Sequence, residues 1–219
     1  MKIAPQAWRF VFGGAAADAA GCVLIAFGAS QGRLGTLACG VLVSFLASLF
    51  IAFCLYFYRD PERALPQDLT KIYSPGDGRV LSVGREGPGD TVTLRIFLSV
   101  FDVHLQRAPC SGRVAKVHYQ KGTFRAAMIK ESYQNERSVM TIEPEGHAGP
   151  LVVEQIAGYI ARRIETWPKE GQSVKAGERY GIIYFGSQAA VHFPASARCT
   201  VKVGDRVAGG LTPIGEWVG

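Results

Sequence analysis

Two long apolar stretches open the chain, over residues 10–29 and 34–58, with a short polar turn between them. The second holds 25 residues without a charged side chain, which is long enough to cross a bilayer with some tilt. The first carries Asp18 near its middle, and we expect that carboxylate to face the other helix or water. A cleaved signal peptide and a buried soluble helical pair are the alternatives, but a second apolar segment follows without a small-x-small cleavage site. The pattern therefore predicts a membrane-anchoring, transmembrane helical hairpin over 1–58.

Basic residues around this hairpin predict its orientation. They lie at both of its ends, as Lys2, Arg9, Arg59 and Arg63. The turn between the two apolar stretches contains only Arg33. Because basic residues favour the inner side of a membrane, we expect both ends of the hairpin to lie in the cytoplasm. The rest of the chain is then predicted at the cytoplasmic side of the cell (inner) membrane.

The pattern changes after residue 58. Residues 59–66 contain two prolines and four charged side chains, which end the helix and predict a linker. Beyond the linker, residues 92–100 alternate apolar and polar side chains with the period of a β-strand. Glycine-rich turn signals such as Pro75-Gly-Asp-Gly78 recur at short intervals. We therefore predict a β-rich catalytic domain over 67–219.

Two short patterns repeat inside this β-rich region. Pro-x-x-Gly-Arg-Val occurs at 75–80 and 109–114, and a variant of it occurs at 194–199. Gly-x-x-Val-x-x-Gly occurs at 171–177 and 204–210. The repeats predict a mainly β fold, a compact β-sandwich or barrel of similar hairpins. Similar hairpins occur in lipoyl- and biotinyl-type (lipoyl/hybrid-motif) domains.

Composition narrows the function classes. Hydrophobic residues make up 48% of the 219 residues, and the net charge is +6. The basic residues are not clustered with aromatic residues, as they are in nucleic-acid-binding proteins. The small positive net charge does favour contact with anionic lipid headgroups. The five cysteines show no CxxC spacing, and the sequence has no metal cluster, P-loop or dinucleotide motif.

The strongest candidate chemistry is the pair Gly186-Ser187. The apolar run 182–185 precedes it and the segment 191–193 follows it, so that the pair lies between two strand-like segments. A plain turn is the simplest interpretation. Glycine also permits strained backbone geometry, in which the serine oxygen can attack the carbonyl of its own preceding peptide bond.

Six motifs in order resemble the phosphatidylserine decarboxylase family, in its short form, from about Tyr58 to the C-terminus. They are the segments YRDPER at 58–63, SPGDGRV at 74–80, FLSVFDVH at 97–104, NER at 135–137, GYIARR at 158–163 and GERYGIIYFGSQAAVHFP at 177–194. The resemblance implies an enzyme that converts phosphatidylserine to phosphatidylethanolamine and contributes to phospholipid biosynthesis.

The resemblance also implies that the protein is a zymogen that cuts itself. Ser187 would attack the Gly186 carbonyl, and an N-to-O acyl shift with β-elimination would give a β chain, 1–186, and an α chain, 187–219. The new N-terminus at Ser187 would be a pyruvoyl group, which forms a Schiff base with the substrate amine. Neither pyridoxal phosphate nor a metal is then needed. The implied partners are the phospholipid substrate, the bilayer and the two chains of one precursor, and a homo-oligomer stays open.

Further residues take roles from the same resemblance. His104 is the implied acid/base and Asp77 the residue that orients it, although Asp77 in a Gly-Asp-Gly sequence also fits a simple turn. Long-form relatives have a second histidine where this chain has Arg107, so one imidazole would serve both steps. His192 ranks second as a catalytic histidine.

Three arginines are candidates for binding the substrate phosphate or carboxylate, namely Arg137, Arg162 and Arg163. Surface salt bridges are an equally good interpretation of these residues.

Two functions from other classes stay open. A membrane-anchored lipoyl-like carrier or adaptor would have no catalysis, but no lysine lies at a hairpin tip in the usual setting. A hydrolase using Asp77, His104 and Ser187 would need a nucleophile-elbow motif, which the sequence lacks.

Overall fold

The structure is a computed structural model that describes residues 2–86, 91–122, 134–158, 163–184 and 187–218. The chain divides into two compact units, Met1–Pro61 and Glu62–Gly219. The first contains two apolar helices and the second is almost entirely β, as the sequence predicts.

The first unit is the expected helical hairpin. A 3-10 turn, Pro5–Ala7, leads into helix α1 (Trp8–Ser30), and helix α2 spans Leu34–Phe57. Both helices are long and apolar enough to cross a membrane. Two short strands, β1 (Lys2–Ile3) and β2 (Arg59–Asp60), pair antiparallel and join the two ends of the hairpin.

Glycine ends α1 and reverses the chain. Gly32 has a φ of +63°, in the left-handed region that glycine adopts without strain. The Arg33 amide donates to the Gly28 carbonyl at 2.8 Å, and the Gly32 amide donates to the Ala29 carbonyl at 3.4 Å. These two bonds form a Schellman motif, which satisfies carbonyls that the helix end would leave open.

Small residues at intervals of seven line the seam between the helices. The buried positions are Gly14, Gly21 and Gly28 in α1 and Gly40, Ala47 and Cys54 in α2. A Cβ atom at Gly21 would lie 2.5 Å from Ser44 Oγ and 2.9 Å from the Gly40 carbonyl oxygen. The backbones therefore approach too closely for a side chain, while larger apolar residues such as Phe12 and Phe45 are exposed on the outer faces.

Substitution of a seam glycine should separate the helices. We expect Gly21→Leu to lower the thermal unfolding midpoint of the detergent-solubilised protein, because overpacking costs about 1–3 kcal/mol and here the obstacle is backbone. Gly13→Leu is the matched control, since a Cβ at Gly13 meets nothing within 4 Å. Equal midpoints for the two variants would contradict the seam.

The second unit is built from strands of three sheets. They are β3 (Lys71–Tyr73), β4 (Gly78–Arg85), β5 (Val92–Leu98), β6 (Leu105–Arg107), β7 (Gly112–Gln120), β8 (Arg137–Pro144), β9 (Leu151–Ala157), β10 (Ile164–Thr166), β11 (Ser173–Val174), β12 (Arg179–Ile183), β13 (Ser187–Phe193), β14 (Ala197–Cys199), β15 (Arg206–Val207) and β16 (Pro213–Trp217). The sheets have the orders β11-β7-β8-β9-β13-β5-β4-β15, β10-β12-β6 and β14-β16-β3.

The sequence repeats correspond to two equivalent strand arrangements. The glycine of each Pro-x-x-Gly-Arg-Val segment begins a long strand, as Gly78 in β4 and Gly112 in β7. Each strand start pairs with the valine of a Gly-x-x-Val-x-x-Gly segment, Val207 with Gly78 and Val174 with Gly112. The sequence repeats are therefore repeated in the structure as the same long-range strand pairing, which joins strands that are not neighbours in the chain.

Strand β13 lies in the middle of the eight-stranded sheet, between β9 and β5. Its residues Ala189, Val191 and Phe193 join the main apolar core, together with Leu94 and Ile96 of β5. The predicted alternation over 92–100 is confirmed in β5. Since successive side chains of a strand point to opposite faces, the even-numbered residues of β13 lie on the opposite face of the sheet from Ala189 and Val191.

Candidate active site

Ser187 is the first residue of β13. It pairs with Leu98 of β5 and with Ala157 of β9, and its side chain is fully buried. Its Oγ has no hydrogen-bond partner among the residues that the structure describes. A buried hydroxyl without a partner costs about 1–3 kcal/mol, so this oxygen does not stabilise the fold by a hydrogen bond. Ser187 Oγ is therefore a buried hydroxyl that no described group holds.

The chain changes sheets just before Ser187. Strand β12 of a three-stranded sheet ends at Ile183, and Ile183 packs in a small buried cluster with Ala157 and Ile164. The Tyr184 amide then donates to the Arg163 carbonyl at 3.1 Å. The other half of the predicted cleavage pair, Gly186, lies outside the described residues. Since β13 begins in another sheet at 187, the link between the sheets is only three residues long.

His104 lies on a second link between the same two sheets. Strand β5 ends at Leu98, opposite Ser187, and β6 begins at Leu105, opposite Ile182. The His104 carbonyl accepts a hydrogen bond from the Ile183 amide at 3.3 Å. The strand ends on either side of the two links are therefore paired with each other, and His104 lies next to Ile183, the last residue of β12.

A backbone contact defines the tautomer of His104. Its fully buried ring has Nδ1 at 3.0 Å from the carbonyl oxygen of Asp102. A carbonyl oxygen only accepts, so Nδ1 carries the hydrogen. In the neutral ring Nε2 is then the nitrogen that can take up a proton. This orienting contact comes from a carbonyl, and no side-chain pattern in the sequence indicates it.

Asp77 is fixed by Arg63. The guanidinium donates through Nη1 to Asp77 Oδ1 at 2.6 Å and through Nη2 to Oδ2 at 2.8 Å. The Gly209 amide donates to Oδ1 at 2.8 Å, and Arg63 Nη1 also donates to the Gly209 carbonyl at 2.6 Å. In the part of the chain that the structure covers, these are the hydrogen bonds of the Asp77 carboxylate, and His104 is not among its partners. Arg63 is the last residue of the YRDPER motif, but the sequence does not indicate its pairing with Asp77.

Gln106 joins the Asp77 turn to the His104 segment. Its fully buried amide donates from Nε2 to the His104 carbonyl at 3.2 Å. A Cβ at Gly76, next to Asp77, would lie 3.0 Å from the Gln106 amide atoms. The Arg107 amide also donates to the Pro75 carbonyl at 2.7 Å. The turn that holds Asp77 therefore packs directly against the segment that holds His104.

The described arginine candidates have different surroundings, and Arg162 lies outside the described residues. Arg137 is buried and its Nη1 lies 3.2 Å from Glu154 Oε2. Arg163 is 56% exposed at its side chain, contacts Glu165 at 3.2 Å and lies over the ring of Tyr184 at 5.9 Å. Arg163 thus lies beside the chain that leads to Ser187 and still has solvent access.

His192 belongs to a separate polar network. It lies on the face of β13 opposite Val191 and Ser187, with Nδ1 2.9 Å from Thr93 Oγ1 and Nε2 3.2 Å from Glu154 Oε1. Burial raises the pKa of Glu154, but the hydrogen bond and charge of His192 and the charge of Arg137 lower it more, so that the net shift is downward. The network therefore keeps Glu154 ionised inside the protein.

Acid should remove the stability that this network supplies. A carboxyl whose pKa is lower in the folded state stabilises the fold above its unfolded pKa, and the contribution disappears as the pH falls through the folded value. We expect Glu154→Gln to lower the unfolding midpoint at pH 7, with the gap to wild type closing below about pH 4.3. Glu143→Gln, on the exposed side of β8, is the control for general acid effects. A gap that is constant from pH 7 to pH 3 would contradict the prediction.

Arg63 offers a sharper functional test. Its side chain and that of Asp77 are 10% and 17% exposed, and removing one partner of a buried ion pair costs about 3–5 kcal/mol. We expect Arg63→Ala to slow both the self-cleavage and the turnover that the resemblance implies, with only partial rescue by Arg63→Lys, because lysine cannot form the forked contact. Arg198→Ala removes an ion pair whose arginine is 69% exposed and should change neither rate. Wild-type cleavage in Arg63→Ala would contradict a positioning role.

Comparison with known proteins identifies the family of the chain. Residues 50–215 match the family model described as phosphatidylserine decarboxylase, a span that includes all six motifs. The chain belongs to the phosphatidylserine decarboxylase family. The phosphatidylserine decarboxylase proenzyme of Gluconacetobacter diazotrophicus is 43% identical over 176 residues, which cover 76% of this chain and 77% of the relative. The family resemblance predicted from the motifs is confirmed.

Proposed function

We propose that this protein is made as an inactive precursor and matures into a pyruvoyl-dependent enzyme that decarboxylates phosphatidylserine to phosphatidylethanolamine. The observation that carries the proposal is the buried Oγ of Ser187, which has no hydrogen-bond partner among the described residues and lies at the start of a central strand. Family membership and the name of the relative, a proenzyme, support it. They also favour it over a carrier domain or a hydrolase.

Maturation needs only residues of the chain and water. Ser187 Oγ attacks the carbonyl carbon of residue 186, and the peptide nitrogen leaves, so that an ester replaces the amide. Loss of the Cα proton of residue 187 then expels the ester oxygen from Cβ, which leaves residue 186 as a carboxylate C-terminus. Addition of water and release of ammonia convert the remaining enamine into the ketone. His104 accepts the first proton at Nε2, since its Nδ1 hydrogen is held by the Asp102 carbonyl.

The residues around position 187 fit a small, apolar-walled ketone, because Ala157 and Ile183 are fully buried there and no described group binds Oγ. A pyruvoyl group supplies an electrophile that takes up the substrate amine and accepts the electron pair left by CO₂. In the same proposal His104 returns a proton to the former α-carbon. Arg63 and Asp77 hold the turn beside it, and Arg163 pairs with the lipid phosphate.

The two chains stay together by strand pairing. Strand β13, in the α chain, pairs along its length with β5 and β9, which are both in the β chain. The hairpin-built β domain is proposed to keep the lipoyl-like plan that the repeats predict. Helices α1 and α2 are proposed to cross the inner membrane with both ends in the cytoplasm, so that the catalytic domain meets its lipid substrate at that surface.

Mass spectrometry of the purified protein tests the function. We expect two pieces, residues 1–186 and a 33-residue piece, 187–219, with a blocked keto-bearing N-terminus. Cyanoborohydride with phosphatidylserine should attach the lipid amine covalently to the small piece. Active protein in which residues 186 and 187 remain joined by an ordinary peptide bond would overturn the proposal.

A further inference from the structure

Two exposed turns lie side by side next to the His104 segment. In the first, the Asp102 amide donates to the Ser99 carbonyl at 2.8 Å, and the Ser99 amide donates to the Asp102 carboxylate at 2.9 Å. Phe101 occupies the tip of this turn and is 66% exposed. The turn is therefore held from both sides while it presents a large apolar side chain to its surroundings.

The second turn spans 202–205 and is closed by the same two kinds of hydrogen bond. The Asp205 amide donates to the Lys202 carbonyl at 3.2 Å, and the Lys202 amide donates to Asp205 Oδ2 at 3.0 Å. Its tip residue, Val203, is 60% exposed. Arg206 Nη2 lies 3.9 Å from Asp102 Oδ1, which joins this turn to the first.

Cations surround the two apolar tips. Arg206 is 73% exposed at its side chain, Lys202 is exposed, and Arg79 is exposed with its Nη1 donating to the Gly204 carbonyl at 3.0 Å. The neighbouring carboxylates, Asp102 and Asp205, are engaged by backbone amides. The two apolar tips therefore have three cations and two carboxylates around them, and Arg206 is far more exposed than its carboxylate partner Asp102, at 73% against 13%.

The repeat supplies an internal comparison. The turn 169–172 is the equivalent of 202–205, because the Gln172 amide donates to the Lys169 carbonyl and the Lys169 amide donates to the Gln172 side chain. In that turn Glu170 stands at the position of Val203, and Ser173 at the position of Arg206. The same backbone therefore carries an apolar, cationic surface only at the turn beside the His104 segment. The geometry of the turn therefore does not by itself require the apolar and basic side chains found at 202–206.

We propose that the turns 99–102 and 202–205, with Arg79 and Arg206, form a docking surface for an anionic phospholipid bilayer. Apolar tips enter the headgroup region and each nearby cation gains about 1 kcal/mol from the surface potential. The surface holds the His104 segment at the level of lipid headgroups, in addition to the attachment that the hairpin provides. Its link to catalysis rests on the proposed function, but docking itself does not.

Tryptophan fluorescence in nanodiscs tests the surface on the full chain. Phe101→Trp and Val203→Trp each add one indole, whose signal is obtained by subtracting the wild type with its three native tryptophans. In nanodiscs that contain brominated lipid and phosphatidylglycerol, we expect the added indoles to be quenched at least twofold. Quenching should weaken without the anionic lipid and in 0.5 M salt, where the Debye length falls to about 4 Å. Glu170→Trp, at the equivalent turn, should not be quenched.

The same measurement in a Ser187→Ala background separates the two proposals. Quenching that persists in this background supports docking whether or not pyruvoyl chemistry is correct. Lys202→Glu combined with Arg206→Glu should reduce the quenching of Phe101→Trp, whereas Lys169→Glu should not. Equal quenching at positions 170 and 203 would overturn the docking surface, and so would quenching that does not change with lipid charge or salt. Absence of quenching at both tips would also overturn it and would indicate that a protein, not a bilayer, binds there.

Discussion

Replacement of Ser187 by alanine should leave the chain as one piece of 219 residues and abolish decarboxylase activity. Alanine has no oxygen to attack the preceding carbonyl and no leaving group at Cβ, so neither the cut nor the ketone can form. Since the uncatalysed reaction is slower than enzymes by about 10⁶-fold or more, activity should fall below detection. Gel electrophoresis and intact-mass measurement report the cut, and release of CO₂ from labelled phosphatidylserine reports the reaction.

Folding should survive this substitution, which makes the result interpretable. The lost Oγ has no described partner, and alanine fits the same buried position, so the unfolding midpoint should stay close to wild type. Ser196→Ala is the matched control, because that serine is only half-buried and lies in the same α chain. It should be cut and active. If the Ser187→Ala protein is cleaved or active, the nucleophile must be another residue.

His104→Gln should give the second large effect, a loss of about 10²–10⁴-fold in the rate of self-cleavage, as expected for removal of a general base. The amide can still donate to the Asp102 carbonyl, so the segment should keep its place, but it has no basic nitrogen for the serine proton. The rate is measured by following freshly translated precursor over time. Turnover by the fraction that does mature should fall by a similar factor.

The control for this variant is His118→Gln in strand β7, outside the two links between the sheets. It should mature and react like wild type. If His104→Gln is cut at the normal rate but is inactive, the histidine serves decarboxylation alone. If both self-cleavage and turnover proceed at the normal rate, His104 has no role in either step.

Local patterns account for the parts of the fold that the sequence predicts. The apolar stretches, the alternation in β5 and the repeated glycine segments each describe a short piece of chain whose neighbours are near in sequence. The seam of Gly14, Gly21 and Gly28 was also present as a spacing of seven, but it becomes meaningful only once the partner helix is in place. Packing of this kind depends on both helices together.

The details of the site depend on contacts between distant segments. Arg63 binds Asp77, 14 residues away in sequence, and Gly209, 146 residues away, and no motif predicts these contacts. The orientation of His104 comes from a main-chain carbonyl, which every residue possesses. Sequence motifs therefore predict which residues are candidates, whereas the fold determines how the described ones are held. The roles of Ser187 and His104 stay predictions until the variants are measured.

The central position of β13 has a consequence for the life of the enzyme. In the proposed maturation, β13 pairs with both of its neighbours before the peptide bond that precedes Ser187 is cut, so cleavage follows folding. Once severed, a denatured enzyme can regain its shape only when two separate polypeptides meet. Recovery from urea should then depend on protein concentration for the mature form and not for the uncut Ser187→Ala chain.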